Sequence, residues 1–239
     1  SKWRQACPMT DSINSPVAVL KSVMASLAGV KILDVGCGSG ALARVLVAEG
    51  AEVTGVDPNL QALTAARSVA PAARFEQAGA EALPFEDAAF DVVLIVNALH
   101  HVPLAVMDRA LAEAARVTRP AGLLVVIEPL ASGSFFDALR VVEDETAVRQ
   151  AAQDALGRAI EGGRLRLDAT TSYIRREVFP DVAQFFARIV AIDPAREATI
   201  KANFDTATAA VLAAAERDKD GRLVFDQPIK ADLLRIVQS

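Results

Sequence analysis

A glycine-rich turn near the start of the chain is the feature best suited to bind a ligand. An apolar run ends in Asp34-Val35 and leads into Gly36-Cys37-Gly38-Ser39-Gly40, and residues at helical spacing follow from Ala41. Glycine is needed where the backbone turns tightly or where a ligand approaches it closely. The following helix offers unpaired N–H groups and a positive dipole end. Taken alone, this pattern also fits a dinucleotide-binding fingerprint, so it predicts a binding turn without defining the ligand.

Two aspartates narrow the chemistry of this turn. Asp34 lies two residues before Gly36, where a carboxylate would repel a pyrophosphate and would suit an ammonium group. Asp57 ends the next apolar run, 23 residues after Asp34. A carboxylate at that strand end can accept hydrogen bonds from both hydroxyls of a ribose. The alternative for Asp57 is a helix N-cap before Pro58, and the two roles are compatible.

The only two histidines, His100 and His101, are adjacent and follow a fourth apolar strand. Ligands of open α/β sheets bind outside the carboxyl ends of the strands, so an imidazole here could remove or relay a proton of a bound acceptor. The alternative is that the pair orders its loop or caps the helix that begins at Pro103. Two neighbouring rings do not easily face one pocket, and the sequence leaves the choice open. Cys37 is expected to pack as a small residue, since no histidine is near it in sequence.

Composition excludes several classes of function. The chain of 239 residues has a net charge of −5, whereas a nucleic-acid backbone needs a basic face. Aromatic residues make up 5%, too few for a base-stacking platform. Two adjacent histidines nearly exclude a multi-histidine metal site. We therefore expect no metal and no nucleic-acid partner.

The sequence also predicts a cytoplasmic location. Cys7 and Cys37 are too few for a disulfide framework, which favours a reducing compartment. The segment Ser1–Pro8 carries two basic residues without an apolar core behind them, so a signal peptide is not expected. No uncharged apolar run reaches the roughly 18 residues that a membrane-spanning helix needs. The oligomeric state is left open.

Short apolar runs and amphipathic stretches alternate in the first half and must position these residues. The predicted strands are Val30–Val35, Glu52–Asp57, Arg74–Gln77, Asp91–Asn97 and Leu123–Glu128. The predicted helices run from Pro16 to about Leu27, from Ala41 to Gly50, from Leu60 to Val69 and from Pro103 to Val117. Strands that are apolar on both faces and separated by helices indicate a parallel sheet covered on both sides. We therefore predict a Rossmann-like, doubly wound, mostly parallel α/β sheet.

The second half is predicted to be mainly helical and to end in a β-hairpin. The predicted helices are Phe135–Ile160, Asp181–Ile192 and Ala195–Arg217, and the hairpin pairs Arg222–Asp226 with Ala231–Val237 around Gln227-Pro228. This organisation gives a cofactor-binding core over residues 1–131, a helical cap over 132–217 and a hairpin over 218–239 that completes the sheet. The cap is expected to shape an acceptor pocket, with Tyr173 as a contact.

Four motifs, in this order and spacing, resemble class I S-adenosylmethionine-dependent methyltransferases. They are Asp34–Gly40, Val53–Asp57, Ala80–Phe85 continuing into Phe90–Val93, and Asn97–Val102. Within that class they are similar to the methyltransferase type 11 group, which includes quinone-biosynthesis methyltransferases. The resemblance covers residues 15 to about 130. Four motifs in register are far more specific than one glycine turn.

The resemblance implies a binding site for S-adenosylmethionine, with S-adenosylhomocysteine as the product. The residues that it places around the methionine part and the sulfonium are Asp34, Gly36, Cys37, Gly38, Asn97 and Ala98. Those that it places around the adenosine are Asp57 at the ribose, Pro58 and Asn59 beside it, and Ala80 and Glu81 at the adenine.

One position departs from the family pattern. Relatives often carry an acidic residue just before the position of Ala80, where it accepts a hydrogen bond from the adenine amino group. Here that residue is Gly79. Either Glu81 takes over this contact or the hydrogen bond is absent.

Together these features predict transfer of a methyl group from S-adenosylmethionine to a small-molecule acceptor. Positioning supplies much of the acceleration of such a displacement, and a base is needed only where the acceptor must lose a proton. His100 or His101 is the candidate base, and His101 and Tyr173 are candidate acceptor contacts. A nicotinamide-dependent oxidoreductase is an alternative that the glycine pattern permits, although Asp34 argues against it. A non-catalytic S-adenosylmethionine-binding regulator is the other alternative.

Overall fold

The computed structural model describes residues 13–237, so the predictions for Ser1–Pro8 and Cys7 lie outside the described residues. The strands are β1 (Lys31–Val35), β2 (Glu52–Asp57), β3 (Arg74–Gln77), β4 (Phe90–Val96), β5 (Thr118–Pro129), β6 (Leu165–Phe179), β7 (Glu216–Arg217) and β8 (Leu223–Ile236). The α-helices are α1 (Pro16–Val23), α2 (Ala41–Ala48), α3 (Leu60–Val69), α4 (Met107–Val117), α5 (Ser134–Leu139), α6 (Thr146–Glu161), α7 (Val182–Ile192), α8 (Arg196–Ala202) and α9 (Phe204–Ala214). Of the described helices, none is long and apolar enough to cross a membrane.

One sheet holds the strands in the order β3-β2-β1-β4-β5-β8-β6, and β7 pairs with β8. The strands from β3 to β5 are all parallel to their neighbours, whereas β7 and β8 are antiparallel. The predicted Rossmann-like sheet with antiparallel strands near the C-terminus is therefore confirmed. The strand order reverses between β1 and β4, and in such sheets the crevice outside the carboxyl ends at this reversal is where ligands bind.

The chain divides into two compact units. The first contains the described residues up to Glu128, together with Ala151–Ser172 and the described residues from Lys230. The second contains Pro129–Gln150 and Tyr173–Ile229. Each unit has a hydrophobic core of its own. The sheet residues of the first core include Leu33, Val35, Val93, Ile95, Leu124 and Val126. The second is built around the aromatic rings of Phe135, Phe179, Phe185 and Phe225.

Two predicted long helices are wrong because each is interrupted. The helix predicted over Phe135–Ile160 is two helices, α5 and α6. The second starts where the Asp144 carboxylate accepts a hydrogen bond from the Thr146 N–H, at 3.0 Å. The helix predicted over Ala195–Arg217 breaks between α8 and α9 at Asn203, which has non-helical dihedral angles. Local polar side chains compete with the helix for backbone groups at both breaks.

Two helices of the first half are shorter than predicted. Helix α1 ends at Val23 because Met24 is extended, so the helix does not reach Leu27. The segment after Pro103 forms one short 3-10 turn, Leu104–Val106, before α4 begins at Met107. Neither change moves the strands that carry the motifs.

The prediction around β6 and β8 is also wrong. Strand β6 occupies Leu165–Phe179, where no strand was predicted, and includes Tyr173. Strand β8 runs without a turn through Gln227-Pro228, and its hairpin partner is β7. The buried Gln227 amide donates to the Leu130 carbonyl at 2.9 Å, and the Leu130 N–H donates to the Pro228 carbonyl at 2.9 Å. These bonds keep the strand extended where a turn was expected.

Candidate functional site

The glycine turn after β1 is fixed to the end of β2. The N–H groups of Gly36 and Cys37 both donate to the Val56 carbonyl, at 2.8 and 3.0 Å. Gly36 and Gly38 have φ angles of +75° and +51°, in the left-handed region that L side chains rarely adopt. The geometry of the turn therefore explains why glycine occupies both positions.

The same turn lies against the loop after β4. A Cβ atom on Gly36 would stand 2.5 Å from the Cβ of Ala98, closer than two carbon atoms can approach. Asn97 turns that loop with a φ of +50°, a left-handed conformation that asparagine tolerates better than most residues. Its N–H donates to the Ile127 carbonyl at 2.8 Å. The predicted methionine-side residues of β1 and β4 are thus brought together.

Asp34 is a buried carboxyl group at the end of β1. Its Oδ2 atom has no hydrogen-bond partner among the described residues. Burial, and then the charge of Asp57, raise the pKa of Asp34 to about 7. A buried carboxylate oxygen without a partner is costly, so the site suits a ligand that brings a cationic donor. An ammonium group fits this requirement.

Asp57 ends β2 and joins two segments of the site. Its carboxylate accepts hydrogen bonds from the N–H of Gly38, at 2.9 Å, and of Asn59, at 2.8 Å. The N-cap of α3 is Asn59, whose side-chain oxygen accepts from Gln61 and Ala62. The alternative that Asp57 caps this helix is therefore wrong. A carboxylate has about four acceptor positions, so Asp57 retains capacity for ribose hydroxyls.

The segment expected at the adenine follows β3. A Cβ atom on Gly79 would stand 2.5 Å from both carboxylate oxygens of Glu81, so the Glu81 carboxylate fills the space beside Gly79. Ala80 is half-buried. The Pro58 carbonyl accepts a hydrogen bond from the Gln77 side chain at 2.9 Å. Of the two alternatives for Gly79, this placement favours Glu81 as the substitute acceptor.

The two histidines have different environments. His100 is buried, and its Nδ1 atom is hydrogen-bonded to the Glu128 carboxylate at the end of β5. A carboxylate oxygen accepts hydrogen bonds, so Nδ1 is the donor of this bond. His101 is exposed, and its ring centroid lies 4.1 Å from that of His100. The structure therefore makes His101 the accessible imidazole and His100 the anchored one.

Glu128 also holds the backbone of the loop after β4. Its Oε1 atom accepts from the N–H groups of Ala98 and Leu99, at 3.0 and 2.9 Å. Its Oε2 atom accepts from the His100 N–H at 3.4 Å. Sequence reasoning assigned no role to Glu128, although an acidic residue at the end of an apolar run, Leu123–Ile127, was a visible signal.

The structure also shows where Cys37 and Tyr173 lie. Cys37 is buried, and its Sγ atom would lie 2.8 Å from a Cβ added to Gly55, so the side chain packs on β2. Burial and the charges of Asp34 and Asp57 raise the pKa of the Cys37 thiol, which opposes a nucleophilic role. Tyr173 lies in the second unit, and its contact with an acceptor stays a prediction.

Comparison with known proteins agrees with this geometry. Residues 33–126 match a methyltransferase domain family. The chain is 39% identical over 129 residues to 27-O-demethylrifamycin SV methyltransferase of Amycolatopsis mediterranei, a match covering 48% of this chain and 46% of the relative. It is 40% identical over 105 residues to demethylmenaquinone methyltransferase of Tropheryma whipplei, covering 42% of each chain. These matches span less than half of the relatives' own length.

The fold extends the likeness beyond the matched segment. A Bacillus halodurans protein assigned as a methyltransferase superposes with a TM-score of 0.64 at 20% identity, over 93% of this chain and 99% of that protein. The fold is a Rossmann-like α/β sheet, and the candidate site lies at the carboxyl ends of its parallel strands. Residues 33–126 resemble a methyltransferase domain, the class of protein that the matched family and the two named relatives share.

Proposed function

We propose that this protein transfers a methyl group from S-adenosylmethionine to a hydroxyl group of a small cyclic acceptor. The observation that carries the choice of cofactor is the buried Asp34 carboxyl, whose Oδ2 atom has no partner beside the turn at Gly36. A pyrophosphate would be repelled there, whereas the ammonium group of the cofactor's methionine part would supply the missing donor. The site chemistry thus supports S-adenosylmethionine over a nicotinamide dinucleotide.

Each part of the cofactor has residues suited to it. Asp34 binds the ammonium, and the turn at Gly36 and Gly38 gives the methionine part close access to the backbone. Asp57 accepts hydrogen bonds from the ribose hydroxyls. Glu81 accepts one from the adenine amino group in place of the residue missing at Gly79. The bound cofactor supplies an electrophilic methyl group on a positively charged sulfur.

We assign the histidine pair to the acceptor side of the site. In this proposal the exposed His101 takes the proton of the acceptor hydroxyl and so makes its oxygen nucleophilic. His100 and Glu128 do not touch the acceptor but fix the loop that carries His101. Glu128 accepts from the backbone N–H groups of Ala98, Leu99 and His100, so His101 follows a backbone segment that is held in place.

The names of two relatives support a small-molecule acceptor, and one of them supports an oxygen as the methylated atom. One relative is named for methylation of an oxygen of rifamycin and the other for methylation of a menaquinone precursor. Both names describe ring-containing molecules, and the first specifies an oxygen. That the segment 132–217 shapes the acceptor site, with Tyr173 as a contact, stays a prediction.

A methyl-transfer screen tests the proposal. The purified protein and S-adenosylmethionine with an isotopically labelled methyl group are incubated with panels of phenols, quinols, macrocyclic alcohols, amines and carboxylates. We expect labelled product from a hydroxyl-bearing ring compound. With that acceptor, His101→Asn should lower kcat by about 10²–10⁴, the usual contribution of a general base, without changing S-adenosylhomocysteine affinity.

Two outcomes of the screen contradict the proposal. Tight S-adenosylhomocysteine binding with no product from any panel would indicate a binding protein without transferase activity. Full turnover by His101→Asn on a hydroxyl acceptor would remove His101 as the base. The matched control is Arg158→Met, which removes an exposed cation that pairs with the exposed Asp108.

A further inference from the structure

One ion pair on α4 holds the loop that follows Glu81. The Leu83 N–H donates to Oε2 of Glu113 at 2.9 Å. The Arg116 guanidinium donates to the carbonyl groups of Leu83, at 3.0 Å, and of Phe85, at 2.7 Å. Three backbone groups of the segment Leu83–Phe85 are therefore hydrogen-bonded to two side chains of a single helical turn.

The pair is itself tightly joined. Arg116 Nε and Nη2 donate to the two oxygens of Glu113 at 2.7 and 2.8 Å, and Nη1 donates to Asp87 at 2.8 Å. The Arg116 hydrogen bonds hold the pKa of Glu113 below its usual value, so the carboxylate stays ionised and acceptor-only. Only a guanidinium has enough donors in one plane to reach Glu113, Asp87 and two carbonyl groups together. Lysine has the charge without this geometry.

Packing fixes the loop at the same points. Leu83 is buried, and the Phe85 ring meets the Phe90 ring edge-to-face with centroids 5.0 Å apart. The Ala88 N–H donates to the Arg116 carbonyl at 2.9 Å, which ties the end of the loop to the same residue. The loop therefore has one conformation from Leu83 to Ala88, set by α4 and by the core.

The segment before Leu83 depends on this anchor. The Ala82 N–H donates to the Gly79 carbonyl at 3.2 Å, so the turn that carries Ala80 and Glu81 ends one residue before the clamped Leu83. Glu81 is half-buried beside a glycine and has no Cβ neighbour at residue 79 to restrain its side chain. The direction of the Glu81 side chain therefore depends on the position of its own backbone.

We infer that Glu113 and Arg116 are positioning residues that fix the adenine-binding turn and, through it, the Glu81 carboxylate. This inference rests on the proposed function, since it assigns the adenine to that turn. It predicts that loss of the clamp weakens recognition of the adenine amino group and leaves the ammonium contact at Asp34 intact. The effect is then specific to one end of the cofactor.

Titration calorimetry with two ligands tests the inference. S-adenosylhomocysteine and its inosine analogue, which lacks the amino group, are titrated into the full chain and into Arg116→Met, Arg116→Lys and Glu113→Gln. We expect Arg116→Met to weaken S-adenosylhomocysteine binding by about 10- to 100-fold, as small displacements of positioned groups do, and to weaken the analogue much less. Arg116→Lys should not restore affinity. Arg158→Met, which breaks the exposed pair with Asp108 at the other end of α4, is the matched control.

Hydrogen exchange provides a second readout that a general loss of stability would not reproduce. The amide of Leu83 should lose protection in Arg116→Met while the amides of β1 and β4 keep theirs. Equal affinities of Arg116→Met and the unaltered chain for S-adenosylhomocysteine would overturn the inference alone. An equal loss for both ligands would also overturn it. An unaltered chain that binds neither ligand would contradict the proposed function and this inference with it.

Discussion

Asp34 shows how a single residue can connect stability, protonation and binding. The carboxyl is buried at the end of β1 with an unpartnered oxygen, and its pKa is raised to about 7 by burial and by Asp57. An unfolded chain would release this proton near pH 4. Between about pH 4 and pH 7, the Asp34 carboxyl therefore holds a proton in the folded protein without ligand but not in the unfolded chain. A cationic ligand at Asp34 would displace this proton.

The raised pKa of Asp34 makes the stability of the folded protein fall as the pH rises. Because the folded-state pKa is the higher one, the stability from this group is fully present below about pH 4 and is lost as the pH rises through about 7. The loss approaches about 1.4 kcal/mol per pH unit between these values. In Asp34→Asn this dependence should be missing. Urea unfolding of both proteins from pH 5.5 to 8.5 measures it, with Asp108→Asn, an exposed carboxylate, as the control.

Parallel stability curves for the unaltered chain and Asp34→Asn would show that the carboxyl titrates alike in the folded and unfolded states. The role of Asp34 as a buried site for an ammonium group would then lose its physical basis. We expect Asp34→Asn to be more stable than the unaltered chain. The difference in the free energy of unfolding should be larger at pH 8 than at pH 6.

At the scale of elements, the site is assembled by four adjacent strand ends. Asp57 on β2 holds the turn after β1, that turn lies against the loop after β4, and Glu128 on β5 holds that loop. Each contact joins neighbours in the sheet order. The geometry of the site is therefore a consequence of the strand order β2-β1-β4-β5.

The contact between the two loops predicts a difference between two glycines. Gly36→Ala meets both a positive φ and the Cβ of Ala98 at 2.5 Å, whereas Gly29→Ala meets a φ of +64° and no atom within 4 Å. The positive φ costs each variant roughly 1–2 kcal/mol. Overpacking should cost Gly36→Ala about 1–3 kcal/mol more. Midpoints of urea unfolding compare the two variants, and equal losses would mean that the loops can separate at little cost.

The strands that build this site were predictable from the sequence, whereas β6 was not. The runs at β1 and β4 are apolar on both faces, which only a strand buried on both sides requires. Strand β6 lies at the end of the sheet order and carries polar or exposed residues on both faces, so neither a period of two nor an apolar run marks it. The continuous β8 was hidden by Gln227-Pro228, which resembles a turn until the buried partners of Gln227 are seen.

Part of the candidate site could be predicted from sequence spacing, whereas contacts between different strands could not. Asp34, Asp57 and the glycines occupy fixed places relative to their own strands, so sequence spacing locates them. Glu128 acts across strands on His100, 28 residues away, and such a pairing follows from sheet order alone. The sequence likewise left the choice between two histidines open, because burial of one ring and exposure of the other depend on that pairing.

For the whole molecule, the fold and the family match agree with the chemistry of the site. The first unit contains the matched residues 33–126 and the four strand ends that form the site. The net charge of −5 gives no basic surface for a nucleic-acid backbone, and the absence of a nucleic-acid partner stays a prediction. The central claim is that this unit binds S-adenosylmethionine through Asp34 and Asp57.

Titration calorimetry with S-adenosylhomocysteine and with NAD, on the unaltered chain and on Asp57→Ala, tests this claim most directly. We expect one S-adenosylhomocysteine site per chain and no heat with NAD. Asp57→Ala should lose about 1–3 kcal/mol of binding free energy, the cost of removing hydrogen bonds to a charged group. Binding of NAD in preference to S-adenosylhomocysteine, or an unchanged affinity in Asp57→Ala, would contradict it.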